Sequence, residues 1–484
     1  MRAVIADNHS TNVNAFSHLL NLYGDPDTPN IITHPSQSSR IYLFYDSVHL
    51  LKNIRNNLLN ARRFIFPPFK FEEFFDPINV PGGEITWKLF HDVFEADMSL
   101  PGQLKKAPKL SNETLHPGNN KQNVTLALNI FDRSTAVAIT EYFPQRNDAS
   151  EFIKLINIWW TISNSKDRFH SFRIGNAAVE GDKKPLFLRL FADWIEEWQA
   201  LQCSRSQRFT LTAQTSHALV TTLRCTASLI EDLLGEGYKY VMTARFQTDP
   251  LERRFSRYRQ MSGGRFLVSL REVNTSEKIA AIASLLKESI DFWKFPIRQD
   301  DDHATLTAEF NGQLDLISED IESCVLDQDG EQVAAVIAGY AARKLLERNN
   351  CEACRKICKA SGDETCQQEN SYLNNLSRGG LFVPSSNLRK YISKNFAIID
   401  VCHSIILHSP LSERTAAELS LQRNDLPTTF LCPNHSSQIW LINRIVTNVY
   451  FNNERKNLKG TKRKDEVRSF KERQLKKRKL EHDF

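Results

Sequence analysis

The chain has 484 residues, of which 41% are hydrophobic and 25% charged, and its formal net charge is +5. This length and composition indicate a globular protein with about two to four domains rather than a disordered chain. The sequence opens without the pattern of a secretory signal, and its nine cysteines are few for a disulfide scaffold, so we expect a reducing compartment. No apolar run reaches the roughly eighteen residues that a membrane span needs, so we expect no membrane association.

Residues 1 to about 65 predict an alternation of strands and helices. The stretch "RAVIADNHSTNVNAFSHLLNLYG" indicates a strand, a polar turn and a helix. The stretch "RIYLFYD" then predicts a second strand, which leads into a helix with Leu51, Ile54 and Leu58 at helical spacing. This order is typical of an α/β layer. Asp46 lies where the second strand gives way to the helix.

From about residue 80 to 235 the pattern is mostly helical. The segment "EITWKLFHDVFEADM" places Ile85 and Val93 on one apolar stripe. The segments "KQNVTLALNIFDRSTAVAITEYF" and "DASEFIKLINIWWTISNS" continue the helical period. Near residue 240 a short predicted strand leads to Asp249-Pro250, which is a favourable helix start, and Glu252 follows in the first turn.

Asp46 and Glu252 are candidate metal ligands, and each also has a plain structural interpretation. An aspartate at a strand end is commonly a helix N-cap, and a glutamate in the first turn is favoured by the helix macrodipole. Phosphodiester chemistry by two metal ions needs hard oxygen ligands from separate elements, because Mg²⁺ prefers carboxylates. The two residues suit that chemistry only if the fold brings their distant segments together.

Five blocks follow one another along most of residues 1 to 410: "ADNHSTN", "DSVHLLKNIRNNLL", "LKKAPKLSNETLHPGNNKQNVTLALNIF", "TDPLERRFSRYRQMSGG" and "VIAGYAARKLLERNNCEAC". In content and order they resemble the P-element type of DNA transposases, including the domesticated THAP-domain transposase-like proteins. The resemblance implies an α/β RNase H-like (DDE-type) core split by a helical GTP-binding insertion, with a helical C-terminal region. The implied ranges are 1–70 for the first part of the core, 75–235 for the insertion, 236–275 for the rest of the core, 276–450 for the C-terminal domain and 451–484 for a basic tail.

The resemblance also implies a reaction, namely DNA cleavage and strand transfer with Mg²⁺ or Mn²⁺, assisted by GTP. By motif, Asp46 resembles the second catalytic aspartate of the family and Glu252 the final catalytic glutamate. The first catalytic aspartate and the THAP zinc finger lie upstream of "ADNHSTN" in the family, and Asp7 is better interpreted as structural. We therefore expect a cleavage-defective relic or a partial gene model. The alternative is a domesticated, catalytically dead nuclear protein that binds DNA or protein.

For the nucleotide, the resemblance implies three contact residues, Lys109, Lys121 and Asn164. No P-loop motif is present. The family usually carries an aspartate three residues before the asparagine, and this chain has Thr161 there. A hydroxyl cannot reproduce the bidentate acceptance of a carboxylate from guanine, so guanine preference is in doubt. The alternative for both lysines is a solvated basic loop.

The segment "CEACRKIC" offers a Cys-x-x-Cys pair, Cys351 and Cys354, with the spacing of a structural zinc site. The later segment "CPNH" offers Cys432 and His435 as further ligands. More cysteines and histidines follow the first pair, at Cys358, Cys366, Cys402, His403 and His408. The alternative is a set of reduced cysteines packed in a helical domain.

Basic residues indicate a polyanionic partner and a nuclear address. The tail carries "KRK" at 462–464 and "KKRK" at Lys476–Lys479, which resemble nuclear localisation signals, although a solvated charged helix is the alternative. From the resemblance we expect DNA partners, namely transposon ends and target DNA, and a homo-oligomer. Two basic groups are expected to form one positive rim along the DNA backbone: Arg253, Arg254, Arg257 and Arg259 around Glu252, and His49, Lys52 and Arg55 after Asp46.

Overall fold

The computed structural model describes residues 2–454, with gaps at 26–27, 35, 37–38, 170–172, 202–208, 262–267, 279–313, 316, 350, 360–371, 373–375, 377–381 and 408–411. Both basic clusters of the tail lie outside the described residues, and so do Cys366 and His408. The described part is a mixed α/β protein in which helices dominate.

The N-terminal part is a four-stranded sheet with the order β1-β4-β3-β2. Its strands are β1 (Ala3–Ala6), β2 (Gly24–Asp25), β3 (Thr28–Thr33) and β4 (Arg40–Tyr45). Strand β1 runs parallel to β4, and β3 runs antiparallel to both of its neighbours. Helix α1 (Ser10–Tyr23) follows β1, and α2 (Ser47–Ala61) follows β4. The predicted order of strand, helix, strand and helix is confirmed, and β2 and β3 are additional elements that the sequence patterns did not indicate.

Two small antiparallel pairs follow, β5 with β8 and β6 with β7. Their strands are β5 (Arg63–Phe66), β6 (Phe69–Phe71), β7 (Ile78–Val80) and β8 (Gly83–Thr86). Ile85 lies in β8, so the prediction that it belongs to a helical stripe was wrong. The helix begins at Trp87, because the Thr86 side chain accepts a hydrogen bond from the Leu89 backbone N–H and caps it there. The pairing of β5 with β8 crosses the predicted boundary between 70 and 75, and the boundary itself stays a prediction.

Helices make up most of the remaining described chain. Between residue 87 and residue 262 the α-helices are α3 (Trp87–Met98), α4 (Asn112–Leu115), α5 (Val124–Ile130), α6 (Arg133–Tyr142), α7 (Asn147–Ser163), α8 (Lys184–Ala200), α9 (Ala213–Gly235) and α10 (Asp249–Met261). The C-terminal helices are Ser318–Ser323, Gln328–Asn349, Glu352–Cys358, Ser386–Val401, His403–Leu407 and Ser412–Arg423, with further helical residues at 270–278 and 439–454.

One apolar cluster extends from Phe16 to Val241 and joins the sheet to the helices that follow it. Helix α9 lies on β4, where the Thr222 hydroxyl bonds both the N–H and the C=O of Tyr45, at 3.0 and 3.1 Å. The Trp198 indole donates to the carbonyl of Ile65 at 2.6 Å. The sheet and the following helices therefore share a core, which holds the end of β4 rigidly.

The C-terminal helices form a second apolar cluster, which also takes in Leu100, Leu104 and Val137 from the preceding part. A buried cation joins the two parts, since the Lys106 ammonium lies 2.7 Å from Asp329 and over the ring of Tyr142. Such a pair is costly to break from one side, because a buried charge would be left unpartnered.

Candidate active site

Asp46 lies at the end of β4 and is fully buried. One carboxylate oxygen accepts from the Val48 backbone N–H at 2.8 Å, so Asp46 is the N-cap of α2. The other oxygen accepts from the backbone N–H of Thr248 at 3.2 Å and from the Thr248 hydroxyl. The predicted N-cap geometry is thus present. It fixes the carboxylate and does not by itself exclude a second role.

Thr248 brings the second carboxylate to the first. It lies 202 residues after Asp46 and directly precedes α10, the helix that carries Glu252 in its first turn. Its hydroxyl also lies 3.4 Å from a carboxylate oxygen of Glu252. The Glu252 side chain is 57% exposed, so it faces solvent and can turn toward a ligand. The fold therefore places both predicted carboxylates at one edge of the sheet.

His49 joins this pair, and the sequence analysis did not select it as a ligand. Its Nε2 atom lies 3.1 Å from Glu252 Oε1, and the ligand atoms of Asp46, His49 and Glu252 all lie within 4.8 Å of one another. The signal in the sequence was an Asp-x-x-His spacing across the start of a helix, which places both side chains at the same end of α2. These three residues are called the carboxylate cluster below.

A buried ammonium faces the carboxylate cluster. Burial lowers the pKa of Lys52, while the charges of Glu252, Asp46, Asp249 and Asp7 act in the opposite direction. Lys52 is therefore a buried basic residue that interacts electrostatically with these four carboxylates. The prediction that Lys52 belongs to the positive rim was wrong, because its side chain is buried.

Arg55 is also buried, so it too is absent from the predicted rim. Burial lowers its pKa to about 10, and its Nη2 donates to the carbonyl of Lys121 at 2.8 Å. The arginines of α10 are different, since Arg253, Arg254 and Arg257 are exposed beside Glu252. Positive charge on the surface near the carboxylate cluster thus comes from α10 rather than from α2.

Asp7 directly follows β1 and is not a member of the carboxylate cluster. Because β1 and β4 are parallel with Ala6 opposite Tyr45, Asp7 and Asp46 leave the sheet at the same edge. The Asp7 carboxylate accepts from the side chain of Asn12 and from the backbone N–H of His9. These contacts within its own turn agree with the structural interpretation of Asp7.

The three residues expected to bind nucleotide have separate surroundings in the structure. Lys109 pairs with Asp132 at 2.6 Å, and Lys121 is exposed. The Asn164 side chain accepts from Gln247, directly before Thr248, at 3.2 Å. Asn164 thus touches the segment that holds Asp46, and a nucleotide role for the three residues stays a prediction.

The predicted Cys351 and Cys354 pair meets Cys432 and His435, and all four ligand atoms lie within 4.8 Å of one another. Cys358 is close in sequence but makes a different contact, since its thiol donates to the carbonyl of Phe430 at 3.1 Å. Burial raises the pKa of Cys358 to about 12. Cys358 is therefore a protonated core residue.

Residues 322–427 match the family model described as DNA transposase THAP9, C-terminal domain. The chain is similar to P-element-type DNA transposases. The resemblance indicated by the sequence blocks is thereby confirmed. Among solved structures, the Drosophila P element transposase strand transfer complex matches with 18% sequence identity and a TM-score of 0.46, over 58% of this chain and 60% of that chain. No curated protein matches.

Within the described residues, no helix has both the length and the apolar content that crossing a membrane requires.

Proposed function

We propose that this chain is a metal-dependent DNA transposase of the P-element type, with Asp46 and Glu252 as metal ligands. The observation that carries the proposal is the convergence of the carboxylate cluster. Its members come from two segments about two hundred residues apart, joined at a 3.1 Å contact between His49 and Glu252. The similarity to the C-terminal domain of a DNA transposase supports the same reaction class.

The chemistry of the cluster fits a divalent ion. Two carboxylates supply the hard oxygen ligands that Mg²⁺ and Mn²⁺ take. A carboxylate has about four acceptor positions, and Asp46 uses three of them for Val48 and Thr248. When bound, the metal would polarise the scissile phosphate and activate water or a 3′-hydroxyl.

The protein side chains have separate tasks in this proposal. Asp46 is held in one position by its N-cap bond and by Thr248, which limits the reorganisation needed on binding. Glu252 is exposed and closes the site from the solvent side. Lys52 interacts electrostatically with both carboxylates and offsets part of their negative charge. His49 is placed to accept a proton at Nε2, the atom that already faces Glu252.

DNA is the proposed partner because of the transposase similarity and the basic surface of α10. Arg253 and Arg257 are exposed on the helix that carries Glu252, where they can position phosphates without selecting a base sequence. The same similarity supports action in the nucleus. Transposon ends and target DNA are the expected substrates, and a homo-oligomer stays a prediction.

GTP assistance is not part of the proposed reaction. Thr161 replaces the expected guanine-binding aspartate, and its hydroxyl donates to the carbonyl of Asn157 at 2.7 Å. This bond occupies the hydroxyl within the helix, and a threonine side chain has no carboxylate to accept from a guanine edge. The contacts therefore do not fit an unaltered guanine site, and no step of the proposed reaction depends on GTP.

A nicking and joining assay tests the proposal. The full chain is incubated with Mn²⁺, supercoiled plasmid and a labelled oligonucleotide with a free 3′-hydroxyl. In contrast to the cleavage-defective relic expected from the sequence blocks, this proposal predicts nicking and joining, and it predicts that Asp46→Asn and Glu252→Gln lower both by at least about 100-fold. Glu197→Gln removes an exposed carboxylate outside the carboxylate cluster and is the matched control.

Mn²⁺ binding, measured by electron paramagnetic resonance, is followed in parallel. Loss of Mn²⁺ binding in Asp46→Asn together with loss of nicking supports the proposal. DNA binding by the wild type without metal binding or nicking would contradict it and favour a catalytically inactive DNA-binding protein.

A further inference from the structure

Three sulfurs and one imidazole nitrogen meet in the C-terminal helical region. The Sγ atom of Cys432 lies 3.4 Å from that of Cys354 and 3.9 Å from that of Cys351. The Nδ1 atom of His435 lies 3.2 Å from the sulfur of Cys432 and 3.6 Å from that of Cys354. The four residues therefore enclose a common point, and they are called the cysteine cluster below.

These separations are those of a tetrahedron around zinc. With Zn–S bonds of about 2.3 Å and Zn–N bonds of about 2.0 to 2.1 Å, tetrahedral angles place two sulfurs about 3.8 Å apart and a sulfur and a nitrogen about 3.5 Å apart. The observed S···S distances of 3.4 and 3.9 Å and S···N distances of 3.2 and 3.6 Å surround these values. The ligand types, three thiols and one imidazole, are those of common structural zinc sites.

Two other arrangements fit less well. A disulfide requires an S–S distance of about 2.0 Å, and the sulfurs of Cys354 and Cys432 are 3.4 Å apart. Simple packing of reduced cysteines explains Cys358 and Cys402, each of which is buried in the apolar core. It does not explain why His435 turns a polar ring nitrogen toward two sulfurs.

We propose that Cys351, Cys354, Cys432 and His435 bind one structural zinc ion. All four tetrahedral positions are filled by protein ligands, so the site has no open position for substrate and is not catalytic. The inference is independent of the DNA chemistry proposed for the carboxylate cluster.

The backbone prepares both halves of this site. Cys351 precedes helix Glu352–Cys358 and Cys354 lies in its first turn, so the two sulfurs face the same side. The His435 backbone N–H donates to the carbonyl of Cys432 at 2.9 Å, which closes a turn and brings the second pair together. The ion would join two segments whose pairing spans 81 positions, and such a link stabilises a fold by restricting the unfolded chain.

Zinc content and thermal stability of the full chain test the proposal. Protein purified in reducing buffer from zinc-supplemented cells is analysed by plasma mass spectrometry, and we expect about one zinc ion per chain. Cys432→Ala and His435→Ala should lose most of this zinc. Cys402→Ala is the matched control, since it removes a buried thiol of the same core outside the cysteine cluster. His435→Cys should retain zinc, because a fourth thiolate is also a good ligand.

A second measurement covers the case in which the alanine variants do not fold. A chelator is added to the wild type, and the melting temperature is followed before and after return of Zn²⁺ or of Mg²⁺. We expect the melting temperature to fall with the chelator and to recover with Zn²⁺ only. Wild-type protein without zinc, or an unchanged melting temperature after chelation, would overturn the proposal, as would a disulfide between Cys354 and Cys432 in reducing buffer.

Discussion

Two substitutions of Asp46 separate its structural role from its proposed metal role. Asparagine caps helices about as well as aspartate, so Asp46→Asn keeps the bond from the Val48 N–H. The oxygen that accepts from Thr248 becomes an N–H₂ group, and because this contact is only part-buried, the Thr248 N–H left without its acceptor costs about 1 kcal/mol, the low end of the range for such a donor. Asp46→Asn should therefore lower the free energy of unfolding by only about 1 kcal/mol while removing the negative charge that a metal needs.

Asp46→Ala should be much more destabilising. It removes the N-cap, which costs about 1 kcal/mol, and it leaves the N–H groups of Val48 and Thr248 without their acceptor in a buried site. Each unsatisfied buried donor costs about 1 to 3 kcal/mol, and the effects overlap, so we expect a total loss of about 2 to 4 kcal/mol.

Urea unfolding followed by circular dichroism measures both losses, and titration with Mn²⁺ measures metal binding. The expected result is near wild-type stability with weak Mn²⁺ binding for Asp46→Asn. Wild-type Mn²⁺ affinity in this variant would refute the role of the carboxylate as a ligand. An equal loss of stability in both variants would refute the assignment of the N-cap.

Three further predictions concern other contacts. Thr222→Val leaves the buried N–H of Tyr45 unsatisfied and should lower the free energy of unfolding by about 1 to 3 kcal/mol in urea titration. An unchanged free energy of unfolding would show that α9 does not hold β4. Arg55→Met replaces a buried guanidinium that is bonded to the Lys121 carbonyl. The same titration should show a free energy of unfolding that falls by less than about 1 kcal/mol or rises. A fall of more than about 3 kcal/mol would reveal an unrecognised partner of Arg55. Arg257→Gln should weaken DNA binding and reduce the slope of log affinity against log salt by about 0.9, whereas an unchanged slope would exclude a phosphate contact.

Some features of the fold were predictable because they depend on neighbouring residues. The strand before Asp46 is an apolar run that ends at a good N-cap, and α10 starts at Asp249, directly before a proline. Other features were not predictable. Ile85 has the spacing of a helical residue, but its segment pairs with β5, and a pairing partner elsewhere in the chain leaves no local signal.

The burial of charged residues on α2 was missed for a similar reason. Lys52 and Arg55 are ordinary surface residue types, and a helix is usually assumed to expose them. Here α2 is covered by both α5 and α9, so its charged side chains are enclosed. Which face of a helix is buried depends on its neighbours, and those are set only when the chain has folded.

Local sequence patterns were enough to locate the residue types at element boundaries, namely an aspartate at a strand end, a glutamate in a first turn and a Cys-x-x-Cys pair at the start of a helix. The partners of these residues were set by the folding of the chain. It joined Glu252 to Asp46 and added His49, and it brought Cys432 and His435 to the cysteine pair. The physical reason is that a ligand set depends on distances between segments far apart in the chain, and these distances follow from the packing of the whole core rather than from local preferences.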